Sequence, residues 1–148
     1  SPQALLREME QIQQELLQIQ EAALTNNPKL REQAETLQST MLEAMRAEGF
    51  EPVQSLARLE QLEQQLQSED ANSRSRSALV EELHSEQQRL MQAEEAALQR
   101  EDVQQARDQF LEGLLQAMRA ENPQTDELMV SLRQKNVQLQ EMISAQSE

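Results

Sequence analysis

The octet MLEAMRAE at Met41–Glu48 returns as LLQAMRAE at Leu114–Glu121, and the rest of the chain is organised around these two octets. The tetrapeptide EAAL also occurs twice, at Glu21–Leu24 and at Glu95–Leu98. The octets are 73 positions apart and the tetrapeptides 74, so one residue is missing between them in the second copy. Because internal similarity at a fixed period is the signature of a duplicated structural unit, we predict a tandem duplication.

The repeat divides the chain into a first copy over residues 1–68, a polar linker over 69–77 and a second copy over 78–148. The Ser, Asn and Asp side chains of the stretch SEDANSRSRS compete for backbone hydrogen bonds, which favours a link over a helix. The stretch contains neither Pro nor Gly, so a continuous helix through it is the alternative. Each copy is short for a domain that folds alone, so we expect the two copies to pack together.

The composition favours helices over strands. Hydrophobic residues make up 37% of the chain, but the aromatic residues are two phenylalanines, Phe50 and Phe110, so Leu, Met and Ala must form the core. These residue types favour helix, whereas the aromatic and β-branched types typical of strands are scarce. With 2 Gly and 4 Pro, the chain also has too few turn residues for an all-β fold. We therefore predict an all-α protein.

Apolar residues recur in alternating steps of four and three, which is the pattern of a helix that packs along neighbouring helices. The predicted helices span residues 2–24, 28–48, 52–67, 78–100, 102–121 and 124–145. We expect them to form two homologous three-helix units, packed as antiparallel helical bundles. The inward positions of helix 1 are Leu5, Met9, Ile12, Leu16, Ile19 and Ala23, and those of helix 4 are Leu79, Leu83, Glu86, Leu90, Ala93 and Ala97.

The second copy has a weaker inward seam than the first. Glu86 stands at the position of Ile12 and Ala93 at the position of Ile19, so we expect a thinner core or a partly open seam there. The inward positions are predicted to be Leu56, Leu59 and Leu66 in helix 3, and Met129, Leu132, Asn136, Leu139 and Ile143 in helix 6. A polar residue such as Asn136 at a seam position either fixes the register of the helices or reaches solvent.

Prolines and glycines mark the predicted helix ends. Proline at the first helical position loses no intrahelical hydrogen bond, so all four prolines are predicted to begin helices; they are Pro2, Pro28, Pro52 and Pro123. Three of them follow good N-cap residues, namely Ser1, Asn27 and Asn122. Gly49 is predicted to end helix 2 in a left-handed turn, with Phe50 folding back on Met45 as in a Schellman cap. Gly113, inside helix 5, either permits close helix approach or occupies an indifferent exposed position.

Charge and residue types exclude several classes of function. The net charge of −14, from 27 acidic and 13 basic residues, argues against nucleic acid or anionic lipid as the main ligand. No apolar run is long enough to insert into a membrane, and the chain contains no Cys. The near match to a metal site is Glu81-x-x-His84, but di-metal carboxylate sites in helical bundles need two such pairs, and this chain has one His. We therefore predict no catalytic residue, cofactor or metal, and no enzyme.

Apolar residues beside the inward seams are predicted to form the partner surface. These flanking residues are Leu6, Leu17 and Leu24 in the first copy, and Val80, Met91 and Leu98 in the second. They favour a non-enzymatic interaction or scaffold protein that self-associates into a homo-oligomer or binds a helix of another protein. The alternative is an acidic, extracytoplasmic, chaperone-like protein that holds unfolded clients on the same flanks.

The start of the chain bears on its location. The first residue is Ser1 rather than Met, so we expect that a secretion signal or a tag has been removed before it. A periplasmic or other extracytoplasmic location therefore ranks ahead of a cytoplasmic one. The lack of Cys is compatible with either compartment.

Overall fold

The computed structural model describes residues 1–68 and 73–147, and within these ranges the protein consists of six α-helices and contains no strand. The helices are α1 (Pro2–Asn26), α2 (Pro28–Ala47), α3 (Pro52–Gln67), α4 (Ser73–Leu98), α5 (Glu101–Glu121) and α6 (Thr125–Ser147). The prediction of an all-α protein is therefore confirmed. The predicted helix ends agree with these bounds to within two residues, except at the start of α4.

The helix α4 begins earlier than the sequence predicts. Residues 73–77, which the sequence analysis places in the linker, are helical, so the predicted start of this helix at residue 78 is five residues too late. Residues 69–72 lie outside the described ranges. Arg76 favours the extension, because its Nη1 donates to the backbone oxygen of Leu66 at 3.1 Å. Carbonyls in the last turn of a helix lack intrahelical partners, so this bond satisfies one of them. Ser68 is extended, which ends α3 and rules out one continuous helix through α3 and α4.

The C-terminus of α2 forms the predicted Schellman cap. Gly49 has a φ of +82°, the N–H of Phe50 donates to the oxygen of Met45 at 3.1 Å, and the N–H of Gly49 donates to the oxygen of Arg46 at 2.9 Å. Phe50 and Met45 are both buried in one apolar cluster. The guanidinium of Arg89 lies 5.7 Å from the centre of the Phe50 ring, where a cation–π attraction is favourable. The cap thus directs an aromatic ring into the core.

Three of the four prolines begin helices as predicted; these are Pro2, Pro28 and Pro52. Pro123 does not, because it lies in a turn and α6 begins two residues later at Thr125. The buried hydroxyl of Thr125 donates to the backbone oxygen of Met118 at 3.0 Å, which ties the start of α6 to the end of α5. The prediction for Pro123 is therefore wrong, since the hydrogen bonds of Thr125 set the start of this helix.

The cap residues of α1 lie at both of its ends. At the N-terminus the Ser1 hydroxyl accepts from the N–H of Ala4 at 3.3 Å, as expected of an N-cap. At the C-terminus the Nδ2 of Asn27 donates to the backbone oxygen of Ala23 at 2.6 Å. The Asn27 side chain therefore closes α1, whereas its backbone oxygen accepts from the first N–H groups of α2.

The helix α1 packs against α6, and α3 packs against α4. In the second pair, Ser55 Oγ donates to Glu86 Oε1 at 2.8 Å, and Arg58 Nη2 donates to Glu82 Oε2 at 2.8 Å. Positions along α3 rise as their partners along α4 fall, so these two helices run antiparallel.

The chain forms two compact units, and each unit draws on both sequence copies. The first unit comprises Ser1–Ala34 and Gln109–Glu148, and the second comprises Glu35–Asp108. The first therefore contains α1, α6, the beginning of α2 and the end of α5, whereas the second contains α3, α4 and the remaining parts of α2 and α5. The structure does not confirm two separate three-helix units, because α1 packs against α6 and α3 against α4, and each of these pairs joins the two copies.

Each unit has its own apolar core. The buried core of the first unit consists of Ile19, Ala23, Leu30 and Met118. The buried core of the second consists of Ala93, Ala97, Val103, Met45, Ala44 and Phe50. At the offsets of the sequence repeat, the four residues of the first core correspond in order to Ala93, Ala97, Val103 and Met45. Corresponding positions thus form corresponding cores, although each core mixes the two copies.

The polar residue in the seam of α4 is paired. Glu86 is half-buried, and it accepts hydrogen bonds from the buried Ser55 at 2.8 Å and from Arg89 at 3.4 Å. By the repeat offsets, Glu86 corresponds to Ile12 and Ser55 to Leu128. A hydrogen-bonded pair in one unit therefore stands where the other unit has two apolar residues, and the seam is closed at this point by polar contacts.

The predicted inward faces of α3 and α6 are wrong in part. Leu56 is exposed, whereas Leu62, which the prediction omits, is fully buried. In α6 the inward line consists of Leu128, Leu132, Lys135, Leu139 and Met142, and the predicted residues Met129, Asn136 and Ile143 are exposed. Apolar residues occupy more than one face of α6, so periodicity alone does not identify the buried face. Lys135 is tolerated on the inward line because its Nζ pairs with Glu8 Oε2 at 3.2 Å.

Gly113 lies where α2 and α5 approach closely. A methyl group on its Cα would lie 2.7 Å from Oε1 of Gln33 and 3.4 Å from Cδ1 of Leu30. Of the two roles predicted for this glycine, close helix approach is the one that the structure supports. The nearest atom belongs to the flexible end of a side chain, so a small substituent could displace it.

Candidate interaction surfaces

The flanking residues lie on the outer sides of α1 and α4 as two lines with the same spacing. In each helix the three positions are separated by eleven and then by seven residues. These separations are close to three and two turns of an α-helix, so each set lies along one side of its helix. We call Leu6, Leu17 and Leu24 the α1 line, and Val80, Met91 and Leu98 the α4 line.

The two lines differ in exposure. Leu17 and Met91 are the most open members, with 61% and 66% of their surface accessible, and Leu6 and Val80 are also exposed. Leu24 is half-buried because it packs against the core of the first unit, whereas its counterpart Leu98 remains 40% exposed. In the α1 line Leu24 is therefore packed against the core, whereas all three residues of the α4 line are exposed.

The α4 line is bordered by acidic side chains. Glu94 and Glu95 stand between Met91 and Leu98, and both are exposed. Neither carboxylate has an ion-pair partner among the described residues. The α4 line is thus a row of exposed apolar residues with two carboxylates, unpaired within the described residues, between its last two members.

The outer face of α6 is a second candidate surface, and the sequence analysis missed it. Val130 and Val137 are exposed by 45% and 48%, and they are seven residues apart. Arg133 stands between them, exposed and without an ion-pair partner in the described part of the chain. We call Val130, Arg133 and Val137 the α6 outer face. Its sequence signal is the segment 128–140, which contains two basic residues and no acidic one in a chain of net charge −14.

A groove of about 440 Å³ runs between α1 and α6, next to the α6 outer face. The apolar residues that line it are Met9, Leu16, Met129 and Leu132, and the polar ones are Gln13, Arg133 and Asn136. Arg133 therefore borders both the groove and the outer face. The apolar surface of α6 extends from the groove toward Val130 and Val137 with this guanidinium as its charged group.

The titratable residues of the described ranges form no cluster suited to a metal ion. Within residues 1–68 and 73–147, no group of three His, Asp or Glu side chains is placed to hold a metal ion, and His84 is exposed. A hydrogen bond from Arg100 lowers the pKa of Asp102, and a bond from the N–H of Val103 at 2.9 Å adds to this effect. The pair lies at the exposed start of α5, where a carboxylate favours the helix N-terminus. This pairing stabilises a helix end.

Comparisons with protein-family models, with curated proteins and with solved structures each find no match to this chain. No helix within residues 1–68 or 73–147 could cross a membrane, because none combines sufficient length with sufficient apolar character.

Proposed function

We propose that the protein is a non-enzymatic helical interaction module that binds other proteins, or further copies of itself, through apolar lines on the outer sides of its helices. The observation that carries the proposal is the exposure of the α4 line, where Met91 is 66% accessible and Val80 and Leu98 share its side of the helix. An apolar line of this length on a charged surface usually marks an interaction site.

The charge of the chain supports a particular class of partner. Glu94 and Glu95 border the α4 line and are both exposed, so a basic group on the partner surface is favoured there. A partner helix with apolar residues seven apart and basic residues between them fits this surface best. Binding by such a helix needs no chemistry from the module, so no catalytic residue, cofactor or metal ion enters the proposal.

The second candidate function is the holding of unfolded clients. Flexible methionines suit a surface that accepts many partners, and Met91 on α4 and Met129 on α6 are both exposed. A chaperone-like protein of this kind suppresses the aggregation of unrelated unfolding proteins, whereas an interaction module saturates with one partner at fixed stoichiometry. Light scattering of two unrelated model proteins during heating separates the two functions. In this second proposal the protein itself is extracytoplasmic.

Substitutions in the lines test the proposal directly. In Leu17→Glu and Met91→Glu, a carboxylate replaces the most exposed apolar residue of each line. We expect circular dichroism to show that both variants remain helical. We expect both to lose self-association, measured by sedimentation velocity, or the binding of a partner protein, measured by affinity purification after crosslinking. The matched control is Leu111→Glu, since Leu111 is 50% exposed on α5 and belongs to neither line.

Two outcomes contradict the proposal. If Leu17→Glu and Met91→Glu unfold the chain, the lines are part of the core. If both variants associate as the wild type does, or if Leu111→Glu weakens association equally, the lines have no specific role.

We also propose that the fold descends from a duplicated three-helix unit whose copies have exchanged partners. The supporting observation is the correspondence of the two cores at the repeat offsets of 74 and 73. Under this proposal α6 packs on α1 as α3 packs on α4, because α3 and α6 are the same element of the two copies.

A further inference from the structure

We propose that the α6 outer face of one chain docks on the α4 line of a second copy. This inference rests on the proposed function, because it names the partner of the α4 line. It commits to a second copy of this chain for two reasons, a match in apolar spacing and a match in charge. The residues that carry it are Met91, Glu94, Glu95 and Leu98 on α4, and Val130, Arg133 and Val137 on α6.

The apolar residues of the two surfaces have the same spacing. Met91 and Leu98 are seven residues apart, and so are Val130 and Val137. Seven residues span about two helical turns, roughly 10.5 Å along the axis. All four side chains are at least 40% exposed in the free chain. When the two helices lie side by side, both apolar contacts can therefore form at once.

The charges between these apolar residues are complementary in either helix orientation. In a parallel pair with Val130 level with Met91, Arg133 is level with Glu94. In an antiparallel pair with Val130 level with Leu98, Arg133 is level with Glu95. The guanidinium and both carboxylates lack ion-pair partners in the described ranges of their own chain, so they are available for pairing across a contact.

The counterparts of these surfaces on α1 and α3 differ from them. On α1 the matching residue Leu24 is packed against the core. On α3 the positions that correspond to Val130 and Val137 are Ala57 and Gln64, so the copy of α6 lacks its outer valines. The segment 128–140 of α6 contains no acidic residue, so the α4 line of a second chain meets no carboxylate within it. The contact therefore joins α6 of one chain to α4 of a second copy.

Charge reversal followed by mixing tests the contact. Arg133→Glu reverses the α6 outer face, and Glu94→Arg combined with Glu95→Arg reverses the border of the α4 line. We expect sedimentation velocity to show concentration-dependent association of the wild-type chain and at least about tenfold weaker association of each variant alone. An equimolar mixture should recover a complex, since α6 of the second variant and α4 of the first still carry the native charges. Arg7→Glu, an exposed reversal on α1, should change nothing.

Several outcomes overturn the inference. A wild-type chain that stays monomeric at every concentration excludes docking of a second copy. A mixture of the two variants that fails to associate also contradicts the inference. The same holds if Arg7→Glu weakens self-association as strongly as Arg133→Glu does. The failure of this inference is distinct from failure of the proposed function, because Met91→Glu can still abolish binding of another protein when the wild-type chain is a monomer.

Discussion

At the residue scale, the two glycines of the chain have opposite roles. Gly49 adopts a φ of +82° and no atom lies within 4 Å of the position of a Cβ, so its importance is conformational. Gly113 lies within α5, where a Cβ meets the side-chain end of Gln33 at 2.7 Å. The backbone conformation requires a glycine at position 49, whereas the atom nearest to a Cβ at position 113 is the movable end of a side chain, so the two positions should respond differently to alanine.

We predict that Gly49→Ala lowers the free energy of unfolding by about 1 kcal/mol, because an L-residue is disfavoured in the left-handed region. We predict that Gly113→Ala leaves it unchanged or raises it by up to about 1 kcal/mol, since alanine favours helix and the end of Gln33 can move. Chemical denaturation of both variants checks the signs. Equal destabilisation by the two substitutions would mean that Gln33 is held in place.

The charged pair at the start of α5 predicts a small pH dependence. Its hydrogen bond to Arg100 holds the pKa of Asp102 below the usual value. A lowered folded-state pKa contributes stability above the unfolded-state pKa, and this contribution is lost as the pH falls through the folded-state value. In Arg100→Gln we expect the pKa of Asp102, followed by NMR titration, to rise toward its ordinary range. An unchanged pKa would assign the shift to the N–H of Val103 instead.

At the scale of elements, corresponding helix pairs are stabilised by different chemistry. Glu82 in α4 and Glu8 in α1 are equivalent positions of the repeat, and each forms an ion pair with the helix packed beside it, to Arg58 at 2.8 Å and to Lys135 at 3.2 Å. These pairs are exposed enough to contribute little. The inward hydrogen bond between α3 and α4 should contribute more to the stability of the fold, because it joins a buried hydroxyl to a half-buried carboxylate.

We predict that Ser55 and Glu86 are energetically coupled. Glu86→Ile removes the acceptor of the Ser55 hydroxyl, and Ser55→Leu removes a donor from Glu86, so each single variant should lose about 1–3 kcal/mol. The double variant places Leu and Ile where the other unit has Leu128 and Ile12. Denaturation of all four chains should show a coupling energy of about 0.5–3 kcal/mol that favours the double variant. Additive effects would show that the two side chains do not interact.

At the scale of the whole molecule, the compact units and the sequence copies are different divisions of one chain. The helix α1 finds its main partner in α6, and α3 finds its partner in α4. A fragment with α1, α2 and α3 therefore contains one member of each pair. An isolated three-helix copy would therefore expose the helix faces that the other copy covers in the whole chain.

We predict that fragments 1–68 and 73–148 do not unfold cooperatively as separate monomers, and that they combine into a 1:1 helical complex when mixed. Each fragment lacks the partners of its outer helices, so mixing should restore both cores. Circular dichroism during heating and analytical ultracentrifugation of the separate and mixed fragments check this. Two fragments that fold as monomers and ignore each other would support two separate three-helix units instead.

The six helices could be predicted because their signals are local. Heptad spacing, prolines at helix starts and Gly49 with Phe50 at a helix end all act within a few residues of the chain, so the sequence contains the whole interaction. The inward faces of α3 and α6 could not be predicted in the same way. Leu56 and Ile143 satisfy an apolar period, but each is exposed because the neighbouring helix lies on another side.

The sequence by itself determined the all-α class, the ends of most helices and the positions that correspond between the two copies, because local hydrogen bonding and the repeat carry this information. The tertiary structure decided which helices of the two copies pack against each other. A duplicated pattern is equally compatible with packing between helices of one copy and with packing between helices of different copies. The tertiary structure also decided which apolar residues remain outside, withdrawing Leu24 into a core and leaving Leu98 exposed. The physical reason is that burial depends on the neighbours brought together by folding, whereas helix formation depends on adjacent residues.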